Sequence, residues 1–299
     1  MGNVGVTASL GAVFNGAVSV ACALSGVALG SGSTGSTGLV TVSTSGSCAG
    51  PVLVTVSGHS DGTSTNFDEA LGSVLPYPAG SSLRAVAPAL SSTMSLGVTP
   101  LTENAARRAL AVAGSLAVPS AAQVNSANSA NSAVVTQVLG AGVTLDILTP
   151  PTLWTVATAT ASLSTSTADR YALYMAGLAR MGLGLAAPVL AVTNALAADL
   201  ADGTLSGSSS GFTYSAATLA AQLSAGLNGM ASYANPALQV ALGFAPPAPL
   251  VASGFTPTSG AAGATVTING SGFDPDPFHV QCCRRPKTDP LLRVVPTQN

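Results

Sequence analysis

The sequence predicts an α+β multidomain protein with an N-terminal antiparallel β-sandwich, an all-α helical middle and a partial β segment near the C-terminus. Three observations carry that expectation. Up to about Val98, apolar residues alternate with period two in short runs cut by Gly and Ser. From Val98 the apolar spacing lengthens to that of a helix, and beyond Ala245-Pro-Pro-Ala-Pro249 the two-residue alternation returns. At 299 residues the chain exceeds one compact unit, and these shifts divide it at 1–97, 98–244, 245–278 and 279–299.

The alternating runs define the first module. Val18, Val20 and Cys22 share one face, Val40 and Val42 another, and Val52, Val54 and Val56 a third, with Ser and Thr opposite. That is the pattern of half-buried antiparallel sheet. Between them, Gly30 to Gly38 reads GSGSTGSTG, too small and polar to pack, and is predicted as a mobile loop. It lacks the Lys and the following helix that a phosphate-cradling loop requires. Cys22 ends one strand and Cys48 precedes another, so a Cys22–Cys48 disulfide across the sandwich is predicted. Two buried free thiols are the alternative, and without CxxC or a neighbouring His a zinc site is the weaker reading.

The helical middle opens at Thr99-Pro100, an N-cap followed by Pro at the first helical position, and runs to about Ala113. Leu101, Ala105, Arg108 or Ala109, and Val112 form its stripe, while Glu103 and Arg107 make an i,i+4 pair expected on a solvated face. Ser120-Ala-Ala-Gln123 is a capping box that starts a second helix carrying Val124, Ala127, Val134, Val135 and Val138. The triplicated Asn-Ser-Ala over 125–133 is expected as a ladder of small polar groups on that helix's surface. Asp146-Ile-Leu-Thr-Pro-Pro151 breaks the period. It resumes with Tyr171, Tyr174, Leu178, Met181 and Leu185, then with Val189, Val192, Leu196 and Leu200, and last with Leu219, Leu223, Leu227 and Met230.

Beyond the Pro-rich linker, Val266 and Ile268 alternate inward after a strand ended by Phe255 and Pro257, and Gly270 to Phe273 is read as a turn. The last residues change character. Gln281-Cys-Cys-Arg-Arg-Pro-Lys287 carries adjacent cysteines and a burst of positive charge, and no strand alternation follows Phe278. A truncation or a shifted reading frame near His279 is expected, with residues 279–299 outside the core. A metal site from His279, Cys282 and Cys283 is the rival, weakened because adjacent cysteines rarely supply two tetrahedral ligands.

Composition excludes several functional classes. Charged residues are 7% of the chain, against roughly a quarter in ordinary globular domains, and none precedes Asp61. With net charge −2 and mean hydropathy +0.50, charge-driven disorder is excluded. Nucleic-acid binding needs clustered Lys and Arg; nine are present, four of them in the last 16 residues. The uncharged run Met181–Ala198 approaches spanning length, but Pro188 and Asn194 interrupt it and Asp199 and Asp202 follow, so no transmembrane segment is expected. Met1 to Val20 has no basic n-region. Taken with the cysteines, this leads to the expectation that the start of the chain lies downstream of an export signal.

No catalytic set emerges. Gly207-Ser-Ser-Ser-Gly211 matches a hydrolase elbow in letters alone, since it follows a helix in a Gly/Ser-rich loop, and His59 and His279 are the available bases for Ser209. His59-Ser60-Asp61 reads as a turn. The pairs Asp68 and Glu69, and Asp199 and Asp202, could meet a cation such as Ca²⁺, but too few ligands converge and they are read as solvated caps.

Family resemblances add an expectation of location. Gly16-Ala-Val-Ser-Val-Ala-Cys22, Cys48-Ala-Gly-Pro-Val-Leu-Val-Thr-Val-Ser-Gly58 and Phe67-Asp-Glu-Ala70 resemble the transthyretin-like, or carboxypeptidase-regulatory-like, β-sandwiches of secreted proteobacterial proteins. Val98-Thr-Pro-Leu-Thr-Glu103, Ala105-Ala-Arg-Arg-Ala-Leu110, Asp146-Ile-Leu-Thr-Pro-Pro151 and Ala198-Asp-Leu-Ala-Asp-Gly-Thr-Leu205 look like segments downstream of such sandwiches in large exported proteins of β-proteobacteria. Ser253 to Phe273 resembles the opening of an IPT/TIG immunoglobulin-like domain, of which this chain holds a part. These resemblances imply a non-catalytic protein, extracellular, cell-surface or periplasmic, that acts by binding or as a spacer. Its partner would be a surface or extracellular ligand, protein or glycan, with no cofactor. The rivals are a hydrolase whose site lies in the helical middle around Glu103, Asp146 and Asp169, and a truncated reading frame without independent function.

Overall fold

The structure is a computed structural model and describes residues 2–69, 71–112, 119–139, 144–155, 164–182, 185, 188–199, 208–209, 212–213, 251–256, 266–271 and 294–297. The alternating region folds into β1 (Gly2–Ala8), β2 (Val13–Phe14), β3 (Ala17–Cys22), β4 (Ala28–Ser33), β5 (Leu39–Thr44), β6 (Val52–Ser57), β7 (Thr65–Asp68), β8 (Ser73–Pro76), β9 (Ser82–Ala87) and β10 (Thr93–Val98). Three sheets result, ordered β10-β1-β5, β4-β3-β6-β9 and β2-β7-β8. Val18, Val20, Cys22, Val52, Val54, Val56, Leu83 and Ala85 turn one face of the four-stranded sheet onto Val4, Val6, Val42 and Leu96 of the first, closing a shared apolar core. Period two therefore sorts Val inward and Ser or Thr outward, as a half-buried sheet demands.

Two expectations for this region are corrected. The sandwich is not wholly antiparallel, because β1 pairs parallel with β10 from Asn3↔Thr93 to Ala8↔Val98 while pairing antiparallel with β5. A parallel pair needs a long crossover, and the intervening strands of the other two sheets supply it. The Gly-Ser-Thr segment is not a mobile loop either: its first half is β4, paired antiparallel with β3. Gly30 and Gly32 are small there because β4 runs close over β5. A Cβ on Gly30 would stand 2.6 Å from the Ser43 carbonyl oxygen and 2.8 Å from Val42 Cγ1. Thr34 then ends the strand as a buried tie, its Oγ1 donating to the Val13 carbonyl at 2.7 Å and accepting the Gly16 N–H at 2.9 Å.

The helices are α1 (Pro100–Val112), α2 (Ala121–Leu139), α3 (Thr167–Met181) and α4 (Pro188–Asp199). Their starts follow local chemistry. Thr99 Oγ1 accepts the Thr102 N–H at 3.2 Å while Thr102 Oγ1 accepts the Thr99 N–H at 2.8 Å, and Ser120 and Gln123 make the same reciprocal pair. Tyr171 on α3 ties the set together, its hydroxyl donating to the Ile147 carbonyl and bonded to Thr99 Oγ1 at 2.7 Å. Leu101, Ala105, Ala109, Val124, Ala127, Tyr174, Leu178, Val192 and Leu196 share a second core with Val86, against which Leu53 also packs. The helices thus cover the β9 side of the four-stranded sheet's outer face as far as Leu53 of β6, while Ser19 on β3 and Ser31 on β4 stay exposed. Leu185, which the spacing assigns to the α3 stripe, lies beyond the helix end and is exposed.

The Asn-Ser-Ala repeat is a further correction. It is not a surface ladder, because a three-residue repeat on a 3.6-residue helix rotates by about 60° at each step. Asn125 is exposed, Asn128 is 8% exposed and Asn131 is fully buried. Asn128 Nδ2 donates to the Val86 carbonyl of the edge strand β9, and Asn131 Nδ2 to the Leu101 carbonyl of α1, each at 3.1 Å. The repeat therefore seals a sheet edge that would otherwise offer an unpaired carbonyl. Asn128→Ala should cost about 1–3 kcal/mol in urea denaturation, the range for orphaning a buried acceptor, and Asn125→Ala should fall within about 0.5 kcal/mol of the parent. Equal effects would contradict this division of roles.

In the C-terminal part, β13 (Val251–Thr256) pairs antiparallel with β14 (Val266–Ser271), placing Phe255 opposite Ile268. Gly270 and Ser271 belong to β14 rather than to a turn. β15 (Val294–Thr297) pairs parallel with β14, so the expectation of no strand after Phe278 fails at these four residues. The short β11 (Ser208–Ser209) and β12 (Phe212–Thr213) form a hairpin. The predicted helix from Leu219 to Met230 lies outside the described residues. No helix among the described residues is long and apolar enough to cross a membrane.

Candidate functional site

The face of α2 turned away from the core builds a groove of about 720 Å³. Asn125, Asn128, Ser129 and Ser132 line one side, and Pro88 and Thr144 to Asp146 lie opposite. The second wall is held by backbone geometry. Ser132 Oγ accepts the Ile147 N–H at 3.1 Å, and Asp146 turns the chain with Oδ1 accepting the Leu148 N–H at 2.9 Å. The groove thus sets amides, hydroxyls and one exposed carboxylate among the apolar side chains of Pro88, Ala133, Leu145 and Leu148, with no Lys or Arg among its lining residues. Such a surface suits a ligand recognised by hydrogen bonds rather than by charge. Its signal in the sequence was the Asn-Ser-Ala repeat, which carries polar groups from the core round to the groove.

Glu103 is not on a solvated face. Its side chain is 1% exposed and receives Arg84 in a two-point pair, Nη2 to Oε1 at 2.7 Å and Nε to Oε2 at 3.0 Å. Arg107 adds Nε to Oε1 at 2.6 Å and reaches Asn194 Oδ1 at 2.9 Å with its other end. One carboxylate therefore joins β9, α1 and α4. The hydrogen bond to Glu103 raises the Arg84 guanidinium above its ordinary value, against the effect of burial. Burial also raises the Tyr77 hydroxyl, and the Glu103 charge adds to it.

The other two carboxylates of the rival hydrolase reading have partners of their own. Asp169 sits in the first turn of α3, where Oδ2 accepts the Ser164 N–H at 2.8 Å and Oδ1 accepts Thr152 Oγ1. Partial burial works against its charge, but the bonds from Ser164 and Thr152 prevail and hold it below the usual carboxylate range. Asp146 is engaged in its own turn. The hydrogen-bond partners of the three do not overlap.

No family model, curated protein or solved structure matches the chain. The site must therefore be read from its own geometry.

Asp68 and Glu69 are not solvated caps. Asp68 does cap the turn after β7, Oδ1 accepting the Leu71 N–H at 2.9 Å, but both side chains are buried. His59 to Gly62 is a turn, closed by the Gly62 N–H on the His59 carbonyl at 3.1 Å. Ser209 stands in the β11–β12 hairpin, opposite Phe212. Cys22 and Cys48 are joined as a disulfide with Cα atoms 5.4 Å apart, tying the end of β3 to the loop before β6. His279, Cys282, Cys283 and Asp202 lie outside the described residues. Among the described residues no group of three His, Cys, Asp or Glu could hold a metal ion.

Proposed function

We propose that this chain is a non-catalytic, exported bacterial surface protein whose sandwich and helical layer form a rigid support for a binding groove along α2. The observation that carries the reading is the groove's chemistry. Asn125, Asn128, Ser129 and Thr144 offer uncharged donors and acceptors beside a single carboxylate, Asp146. That set fits a hydroxyl- or amide-rich surface ligand, a glycan or an uncharged polypeptide segment, better than a phosphate or a nucleic acid. The Cys22–Cys48 disulfide supports folding in an oxidising compartment, where such bonds persist. The transthyretin-like and IPT/TIG resemblances of the flanking β segments belong to the same proposal, as spacer modules.

The test is a nuclear magnetic resonance screen of the full chain against neutral oligosaccharides and uncharged peptides. Binding should shift the side-chain amide signals of Asn125 and Asn128, and Ser129→Arg, which fills the groove from an exposed position, should abolish the shifts. Shifts confined to other surfaces, or turnover of any ligand by the chain, would overturn the reading.

A further inference from the structure

Asn15 carries the chain from β2 into β3 with a φ of 52°, the one left-handed backbone other than glycine among the described residues. Asn and Asp bear that conformation best among residues with a side chain. The next position takes Gly for a different reason, since a Cβ there would stand 2.9 Å from Val56 Cγ1 and 3.1 Å from Val13 Cγ1. The fold itself therefore calls for Asn-Gly at this corner. That dipeptide is chemically vulnerable, because Gly leaves its backbone nitrogen unshielded beside the Asn side-chain carbonyl.

Every main-chain polar group of the pair is held. The Asn15 N–H donates to the Gly35 carbonyl at 2.7 Å, and the Asn15 carbonyl accepts Ser64 Oγ at 2.7 Å. The Gly16 carbonyl accepts the Thr34 N–H at 3.0 Å, and the Gly16 N–H donates to Thr34 Oγ1 at 2.9 Å. Thr34 is fully buried and commits its own hydroxyl proton to the Val13 carbonyl at 2.7 Å, so its oxygen meets Gly16 as an acceptor. Asn15, by contrast, is exposed.

We propose that Asn15 is a guarded modification site: the Gly16 nitrogen can attack Asn15 Cγ when Thr34 releases it, so conversion to aspartate or isoaspartate records opening of the β2–β3 corner. Hydroxide removes the Gly16 amide proton, and the nitrogen bonds to Cγ. The Cγ–Nδ2 bond breaks, and ammonia leaves with a proton taken from water. Water then opens the cyclic imide at either of its carbonyls, giving aspartate or, with the main chain rerouted through the side chain, isoaspartate. Neither product reverts when the corner closes. Aspartate brings a negative charge into a stretch that has none before Asp61, and isoaspartate lengthens the backbone between the groups held by Gly35 and by Thr34. The site is separate from the groove along α2 and does not depend on it.

The test incubates the full chain in warm, mildly alkaline buffer, folded and in guanidinium, and follows Asn15 by peptide mapping and mass spectrometry. Pepsin suits the mapping, because the first Lys or Arg in the chain is Arg84. The folded chain should convert Asn15 about tenfold or more slowly than the unfolded chain, since reaction there requires local opening. Thr34→Val keeps the side-chain shape without the acceptor and should raise the folded rate about tenfold, whereas Thr34→Ser should stay protected. Equal rates in the folded and unfolded chain overturn the guard. A folded Thr34→Val as slow as the parent, or Thr34→Ser as fast as Thr34→Val, overturns the role of Thr34. Should Thr34→Val not fold, the unaltered chain decides: conversion at Asn15 should rise with hydrogen exchange at the Gly16 amide as guanidinium is raised below the unfolding transition. Conversion that stays level while that exchange rises overturns the proposal.

Discussion

Glu103→Leu should destabilise the fold by about 3–5 kcal/mol, because it strips the acceptor from two guanidinium groups packed between sheet and helices. Arg84 bears most of the loss. Its side chain is 27% exposed and lies on β9 beneath α1, whereas Arg107, at 38%, can turn toward water. The double variant Arg84→Met, Glu103→Leu should recover a large part of the loss, since it removes both charges and leaves apolar groups of similar volume. Urea denaturation of the three proteins measures the difference. A loss under about 1 kcal/mol in the single variant would mean that the carboxylate is solvated after all.

The Cys22–Cys48 bond should contribute about 3 kcal/mol in the chain-entropy model, given the 26-residue separation it closes. Cys22→Ser with Cys48→Ser should therefore melt well below the parent in the absence of reductant, and reductant should bring the parent down to meet it. The strand end is also tied by backbone hydrogen bonds, the Cys22 N–H on the Val27 carbonyl and the Ala23 N–H on the Pro51 carbonyl, each at 2.9 Å. Mass spectrometry without reductant on protein exported by its host should show the crosslink. Two freely alkylated thiols there would remove the main support for an oxidising compartment.

What could be read from the sequence was local. Val18, Val20 and Cys22, or Val52, Val54 and Val56, announce their face because alternate residues of a strand point to opposite sides of the sheet and the Val side faces the sandwich core. Thr99-Pro100 and Ser120 to Gln123 announce helix starts because the capping partners lie three residues apart. Glu103 misled because its i,i+4 partner is visible along the chain while Arg84, the partner that buries it, sits on another element. Gly30 misled for a similar reason: its small size answers to Val42 and Ser43, which only the folded sandwich brings near. The groove was hidden because three Asn in identical triplets occupy three different environments, and only the rotation of the helix tells them apart.

The parallel pairing of β1 with β10 also fixes the order in which the molecule can be completed. Leu96 must reach Val6 before the first sheet has both its outer strands. For a chain delivered N-terminus first, β1 gains β5 early and then waits with one edge unsatisfied while the rest of the sandwich arrives. The strand that ends the wait leads straight into α1, since β10 stops at Val98 and the helix begins at Pro100. Closing the sheet and starting the helical layer are thus a single late event with a high entropic threshold. Weak pairing at β10 would leave β1 exposed to the strands of other chains during that interval.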